Sequence, residues 1–183
     1  MLAQLNVIAG LARDARGRVR HALLEVTSHY DQFAAWMRQD CMDTAGATAH
    51  YDRAMDATQE IADADMASSV LSLKSHLAWS VGDAGRAIGL AQAGQRDPRR
   101  VSDAVLALVA QQEARGHALD GDTEATERTL DRSAELTTPP PSIPRTPRPG
   151  RTSRRREALL FPDGGERTPS IRRRSGGLKL EEA

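Results

Sequence analysis

Aromatic residues make up only 3% of this 183-residue chain, and there is one cysteine, Cys41. So few aromatics, with little Val and Ile, exclude a sheet core, and any core must be assembled from Ala, Leu, Val and Met. A lone cysteine excludes an internal disulfide, and Cys41 lacks the neighbouring Cys or His that a zinc site needs. A reducing, cytoplasmic setting is the expectation. Nowhere do 18 apolar residues follow one another, and the opening stretch has neither a basic leader nor a small-residue cleavage pattern, so neither a membrane span nor a signal peptide is expected. The phosphate-binding glycine loop, GxSxG, HExxH and CxxC are all missing, and with them the usual signatures of an enzyme. No cofactor or metal is expected either. The acidic run DATQEIADAD (residues 56–65) lacks the glycine and terminal glutamate of a calcium loop and reads better as a solvated helix end.

The formal charge is zero, with 25 basic and 25 acidic residues, but the balance conceals two unlike parts. Residues 1–138 hold 14 Lys or Arg against 20 Asp or Glu, whereas residues 139–183 hold 11 against 5. The acidic front is rich in Ala, Leu, Glu, Arg and Gln, residues that favour or tolerate helices. Its apolar residues recur at helical spacing through most of residues 2–137, and strict alternation is not found. The reading is all-α, with seven helices near 2–16, 20–41, 44–62, 66–81, 84–93, 99–120 and 123–136.

Gly82-Asp83 and Gly121-Asp122 mark tight helical hairpins: glycine accepts the left-handed conformation that ends one helix, and aspartate caps the next. Met42-Asp43 occupies the matching place one unit earlier without the glycine, which predicts a looser turn or another terminal geometry. Softer boundaries fall at Gly17, at Asp63 to Asp65, and at Gly94 to Pro98, where Asp97 would cap and Pro98 would open the sixth helix. The capping aspartates 43, 83 and 122 are 40 and 39 residues apart. After each, at plus four, eight and eleven, come Ala47, Tyr51 and Ala54; Ala87, Ala91 and Gly94; Thr126, Leu130 and Ser133. Each trio shares one helical face.

A Gly-Asp hinge followed by small and larger residues at these spacings resembles a tetratricopeptide repeat, an antiparallel helix-pair solenoid. The period exceeds the usual ~34 residues, which keeps armadillo-like and other helical repeats open. More closely, FAAWMRQDCMDTAGATAHYDRAMDAT and VLALVAQQEARGHALDGDTEATERTLDRSAE resemble the repeat region of actinobacterial helix-turn-helix transcriptional regulators, over about residues 10–137. The helix-turn-helix part of those regulators has no counterpart here. The resemblance implies a regulatory or sensor module that holds a peptide or partner protein.

Carried over residue by residue, it places Gln32, Trp36 and Gln39 of the first unit, Ser72, His76 and Trp79 of the second, and Gln111 and Arg115 of the third along one groove. Indoles with amides and charged groups suit a peptide, which needs both flat apolar surface and hydrogen bonds. Structural alternatives stand beside this: a Trp in an alanine-rich bundle often fills the core, His76 can be a plain helix-face histidine, His50 carries less information still, and Arg115 can pair with Glu113 or Asp120. Two further readings belong to other classes: a scaffold whose exposed helix faces make a homodimer, and weak nucleic-acid association through the tail.

That tail, residues 139–183, is rich in Pro, Arg, Ser and Gly, and its composition predicts disorder. Arg154, Arg155 and Arg156, and Arg172, Arg173 and Arg174, could meet phosphates in a salt-dependent way. Only Phe161 accompanies them, so base stacking has no support.

Overall fold

The computed structural model describes residues 2–138, and these are all-helical: α1 Leu2–Asp14, α2 Gly17–Asp40, α3 Thr44–Ile61, α4 Ala64–Ser80, α5 Ala84–Gly94, α6 Asp103–Asp120 and α7 Thr123–Thr137. The expectations for residues 139–183, including both arginine runs, lie outside the described residues. Among the described residues no helix is long and apolar enough to cross a membrane. Helix α2 packs against α3, α4 against α5, and α6 against α7, while α2 touches α4 and α4 touches α6.

Four of the connections share one chemistry. Asp43, Asp63, Asp83 and Asp122 each accept a hydrogen bond from the amide three residues on, at 2.9, 2.9, 3.0 and 2.9 Å, which satisfies an otherwise free donor at the helix start. Before each aspartate stands a left-handed residue: Met42 (φ 61°), Ala62 (φ 55°), Gly82 (φ 82°) and Gly121 (φ 84°). The Met42 turn is not looser than the glycine turns. The Asp43 amide reaches the Arg38 carbonyl at 2.9 Å, as Asp83 reaches Ala78 and Asp122 reaches His117, both at 3.0 Å. Hydrogen bonding of the turn thus holds a methionine where it costs about 1–2 kcal/mol. Since Met42 is 85% exposed and contributes little burial, Met42→Gly is expected to raise the unfolding free energy by about 0.5–1 kcal/mol, glycine's greater unfolded entropy offsetting part of the gain. A urea titration reads this directly, and an unchanged or lower midpoint would show that the turn carries no strain.

Two boundaries differ from the sequence reading. Gly17, also at positive φ (56°), opens α2 rather than closing α1. Helix α6 starts at Asp103, four residues after the expected position, because Asp97 to Arg100 form a turn (Arg100 N to Asp97 O, 3.1 Å) and Val101 is buried. Instead of Asp97, the Asp65 carboxylate accepts the Ser102 amide at 2.6 Å. That residue belongs to the acidic run, so part of the run serves as a cap supplied from α4.

The inward positions expected after Asp43 and Asp83 are core positions of α3 and α5. Ala47, Tyr51, Ala54, Ala87 and Ala91 are all fully buried, and Gly94, the last residue of α5, is buried too, so close to α6 that a Cβ there would crowd Val109. In α7 the inward set is shifted: Ala125, Thr129 and Ser133 are buried, while Leu130 is exposed, so Thr126 and Leu130 are not the core positions there. Ser28 donates to the Ala54 carbonyl at 3.3 Å, and Ser68, 40 residues on, donates to the Gly94 carbonyl at 2.9 Å. Ser75 of α4 also donates to the Ala87 carbonyl at 2.8 Å, and in the last pair the direction reverses, Ser133 of α7 donating to the Ala107 carbonyl of α6 at 3.0 Å. Small residues let the axes approach closely. At Gly116 a Cβ would collide with Ile88 of α5.

Candidate functional site

The contacts between α2, α4 and α6 bring four of the eight groove candidates together. Gln39 of α2 donates through Nε2 to Nδ1 of His76 on α4 at 3.1 Å and lies 3.5 Å from the Ser80 hydroxyl. His76 stacks on Trp79, ring centroids 5.4 Å apart at 24°. Arg115 of α6 holds its guanidinium 5.7 Å from the Trp79 ring centre, within cation–π range. Arg115 does not pair with Glu113 or Asp120; its other contact is Gln112 Oε1 at 3.5 Å. Trp79 is 38% exposed, so this indole is an open platform between an imidazole and a guanidinium and not core filler.

The other four candidates sit apart from this network. Trp36 is 48% exposed and contacts Phe33, centroids 6.2 Å apart. Gln32 donates to Ser28 on its own helix at 3.2 Å. Ser72 is fully buried at 1% exposure, and its hydroxyl is closed to a ligand. Gln111 is exposed and lines, with Arg115 and Leu130, a hollow of about 300 Å³ between α6 and α7.

The protonation of His76 follows from its neighbours. Burial lowers its pKa below the ordinary 6.5, the Arg115 charge lowers it further, and Asp40 opposes them weakly. Because Gln39 Nε2 can only donate, Nδ1 must accept, and the ring is neutral with its proton on Nε2. A second proton on Nδ1 would set donor against donor. The native pKa lies below the unfolded one, so the stability this arrangement contributes is complete above pH 6.5 and fades as pH falls through the lowered native value. Trp79 emission is therefore expected to change in one step below pH 6.5, and His76→Gln should abolish that step. A step that survives the substitution would assign it elsewhere.

Two polar clusters on the same scaffold were not singled out by the sequence. Asp31 of α2, 2% exposed, accepts from His50 Nδ1 of α3 at 2.6 Å and from Arg53 Nη2 at 2.9 Å. Together with Leu5, Leu24 and Glu60 these groups border a cavity of about 610 Å³ between α1, α2 and α3. Glu113 of α6, nearly buried, accepts from Gln95 at 2.8 Å, Gln92 at 3.1 Å and Arg132 at 2.5 Å. Burial would raise the Glu113 pKa, but those hydrogen bonds outweigh it and hold the carboxyl below its usual range. Both clusters have their polar atoms satisfied internally: the Asp31 cluster ties α2 to α3, and the Glu113 cluster ties α6 both to its partner α7 and to α5 of the preceding pair. The nearest sequence signal was position: Asp31 shares the inward face of α2 with Ser28 and Ala35.

No protein family, curated protein or solved structure matches the chain.

Proposed function

We propose that this chain is a non-catalytic helical-repeat module of tetratricopeptide type that holds a peptide or a segment of a partner protein across α2, α4 and α6. We further read it as the sensor part of a regulator related to the helix-turn-helix transcriptional regulators it resembles. The observation that carries the binding reading is Trp79, open to solvent between His76 and Arg115, with Gln39 one helix away. The solvent-exposed part of the indole accepts an apolar side chain, Arg115 offers a fork for a carboxylate, and the amide of Gln39 can meet a peptide backbone. Recurrence of caps and inward residues at 40-residue spacing supports the repeat reading, because stacked pairs present their first helices side by side.

Selection from a displayed library of random dodecamer peptides tests this. Peptides carrying an aromatic or apolar residue near an Asp or Glu should be enriched. Their affinity should fall roughly 10-fold or more in Trp79→Ala and in Arg115→Ala, with helical content unchanged. Enrichment equal on the wild type and on the Trp79→Ala/Arg115→Ala double variant would refute the site.

A further inference from the structure

Helix α2 carries two apolar faces, and only one of them is used by the fold. Ser28, Asp31, Ala34 and Ala35 are buried against the rest of the molecule. Along another side of the helix run Val19, Leu23, Val26, Tyr30, Phe33 and Met37, spaced alternately by four and three residues, the repeat of a coiled-coil seam. Of these, Val19 is 63% exposed, Val26 41%, Tyr30 39%, Phe33 51% and Met37 44%. Five large apolar side chains in one line form a contiguous patch of the sort that soluble proteins cover.

The repeat itself says what kind of object covers such a face. Forty residues on, Val26, Tyr30, Phe33 and Met37 correspond to Met66, Val70, Leu73 and Leu77 of α4. Met66, Val70 and Leu77 are buried, and Val70, Leu73 and Leu77 pack in the cluster containing Ala35, Ala47, Tyr51 and Ala54 of α2 and α3. On α6 the corresponding Val109 is also fully buried. On α4, and at Val109 of α6, neighbouring helices cover this register. On α2, among the described residues, it stays open, since α1 lies toward Leu24 and Thr27 on a different side.

We propose that a second copy of this chain covers it, through an antiparallel α2–α2 pair related by a two-fold axis. The charges at the ends of the seam select this occupant and this direction. Asp40 ends the last turn of α2, and Arg16 is its extended N-cap, with a guanidinium that reaches the Arg13 and Ala15 carbonyls; both are exposed, and in sequence both continue the four-three spacing. The antiparallel register sets Arg16 opposite Asp40, Val19 opposite Met37, Leu23 opposite Phe33 and Val26 opposite Tyr30. Each large residue meets a large residue, and each end charge meets its opposite. A parallel pair would set Arg16 against Arg16 and Asp40 against Asp40. Antiparallel helices also align their dipoles favourably. Trp36 flanks the seam and Gln39 lies between its residues Met37 and Asp40, whereas Trp79 and Arg115 lie on α4 and α6.

The test is the mass of the full chain in solution at 10–100 μM, a concentration range of about the order at which moderate dimers (~μM) populate. The expected result is twice the 19.8 kDa of one chain. Phe33→Glu should weaken association roughly 100-fold or more, because both copies lose the contact, and its unchanged circular dichroism would show that the half-exposed site tolerates the change. Asp40→Arg alone and Arg16→Asp alone should each weaken the dimer, and the two together should restore it, an outcome only the antiparallel register allows. Cys41, exposed next to Asp40, supplies an independent reading: antiparallel copies hold their two Cys41 roughly 39 Å apart along the seam, so oxidation should leave them unlinked. A monomer at 100 μM, a dimer indifferent to Phe33→Glu, or a rapid Cys41–Cys41 disulfide would each overturn the proposal.

Discussion

Asp31→Ala is expected to lower the unfolding free energy by about 3 kcal/mol, which makes one of the largest single-site effects in this fold a polar one. The carboxylate is 2% exposed and serves His50 and Arg53 together. Truncation leaves the His50 ring, itself 4% exposed, with its donor unmet, and an unmet buried polar group costs far more than a hydrogen bond normally contributes. Arg53 is about half exposed, so water takes over its charge and softens the loss. Asp31→Asn keeps an acceptor for His50 and should cost less than half as much, and Arg53→Ala should cost less than about 1 kcal/mol. Chemical denaturation of the three variants separates these outcomes. Equal losses for Asp31→Ala and Arg53→Ala would show that the ion pair with Arg53, and not the buried hydrogen bond to His50, ties α2 to α3.

Tyr51→Ala should cost about 4 kcal/mol, through the cavity left by the largest fully buried side chain. Tyr51 lies in the cluster that joins α2, α3 and α4, so its removal loosens the first two units at once. Tyr51→Phe isolates the hydroxyl, whose bond to Gln39 Oε1 is long at 3.5 Å, and should cost under about 1 kcal/mol. Burial, with a smaller contribution from Asp40, pushes the phenol up to about 12 from 10.0. Because the native value is the higher one, the stability Tyr51 contributes is complete below pH 10 and is lost as pH rises toward 12. Wild type should therefore weaken in that window more steeply than Tyr51→Phe. A Tyr51→Ala variant with an unshifted denaturation midpoint would mean that the core cluster does not hold the pairs together.

Most helices were legible because each hinge states its chemistry in two letters. Asp at the cap was enough even where glycine was missing: Met42 and Ala62 give no left-handed signal, yet the Asp43 and Asp63 side chains and the amide-to-carbonyl bonds close those turns in the same form. Helix α6 was misplaced because Pro98 read as a first-turn residue, and its true start depends on Asp65, a carboxylate 37 residues away in sequence. Of the residues that the resemblance implies along one groove, Gln39, His76, Trp79 and Arg115 do lie together, but a pattern of spacings could not tell that Ser72 points into the core. The Asp31 and Glu113 clusters are pairings between helices, and composition does not encode them. Nor does spacing say which of the two apolar faces of α2 the fold consumes.

Whether the surface around Trp79 and Arg115 receives a peptide can be read from the two indole N–H resonances of the full chain. A pool of short synthetic peptides containing Asp or Glu beside an aromatic residue is titrated into the protein. The Trp79 signal should shift and saturate, and the shift should vanish in Arg115→Ala and in the matching pool with Asn and Gln for Asp and Glu. A Trp79 signal that stays fixed, or one that moves equally in Arg115→Ala, would contradict a peptide site there.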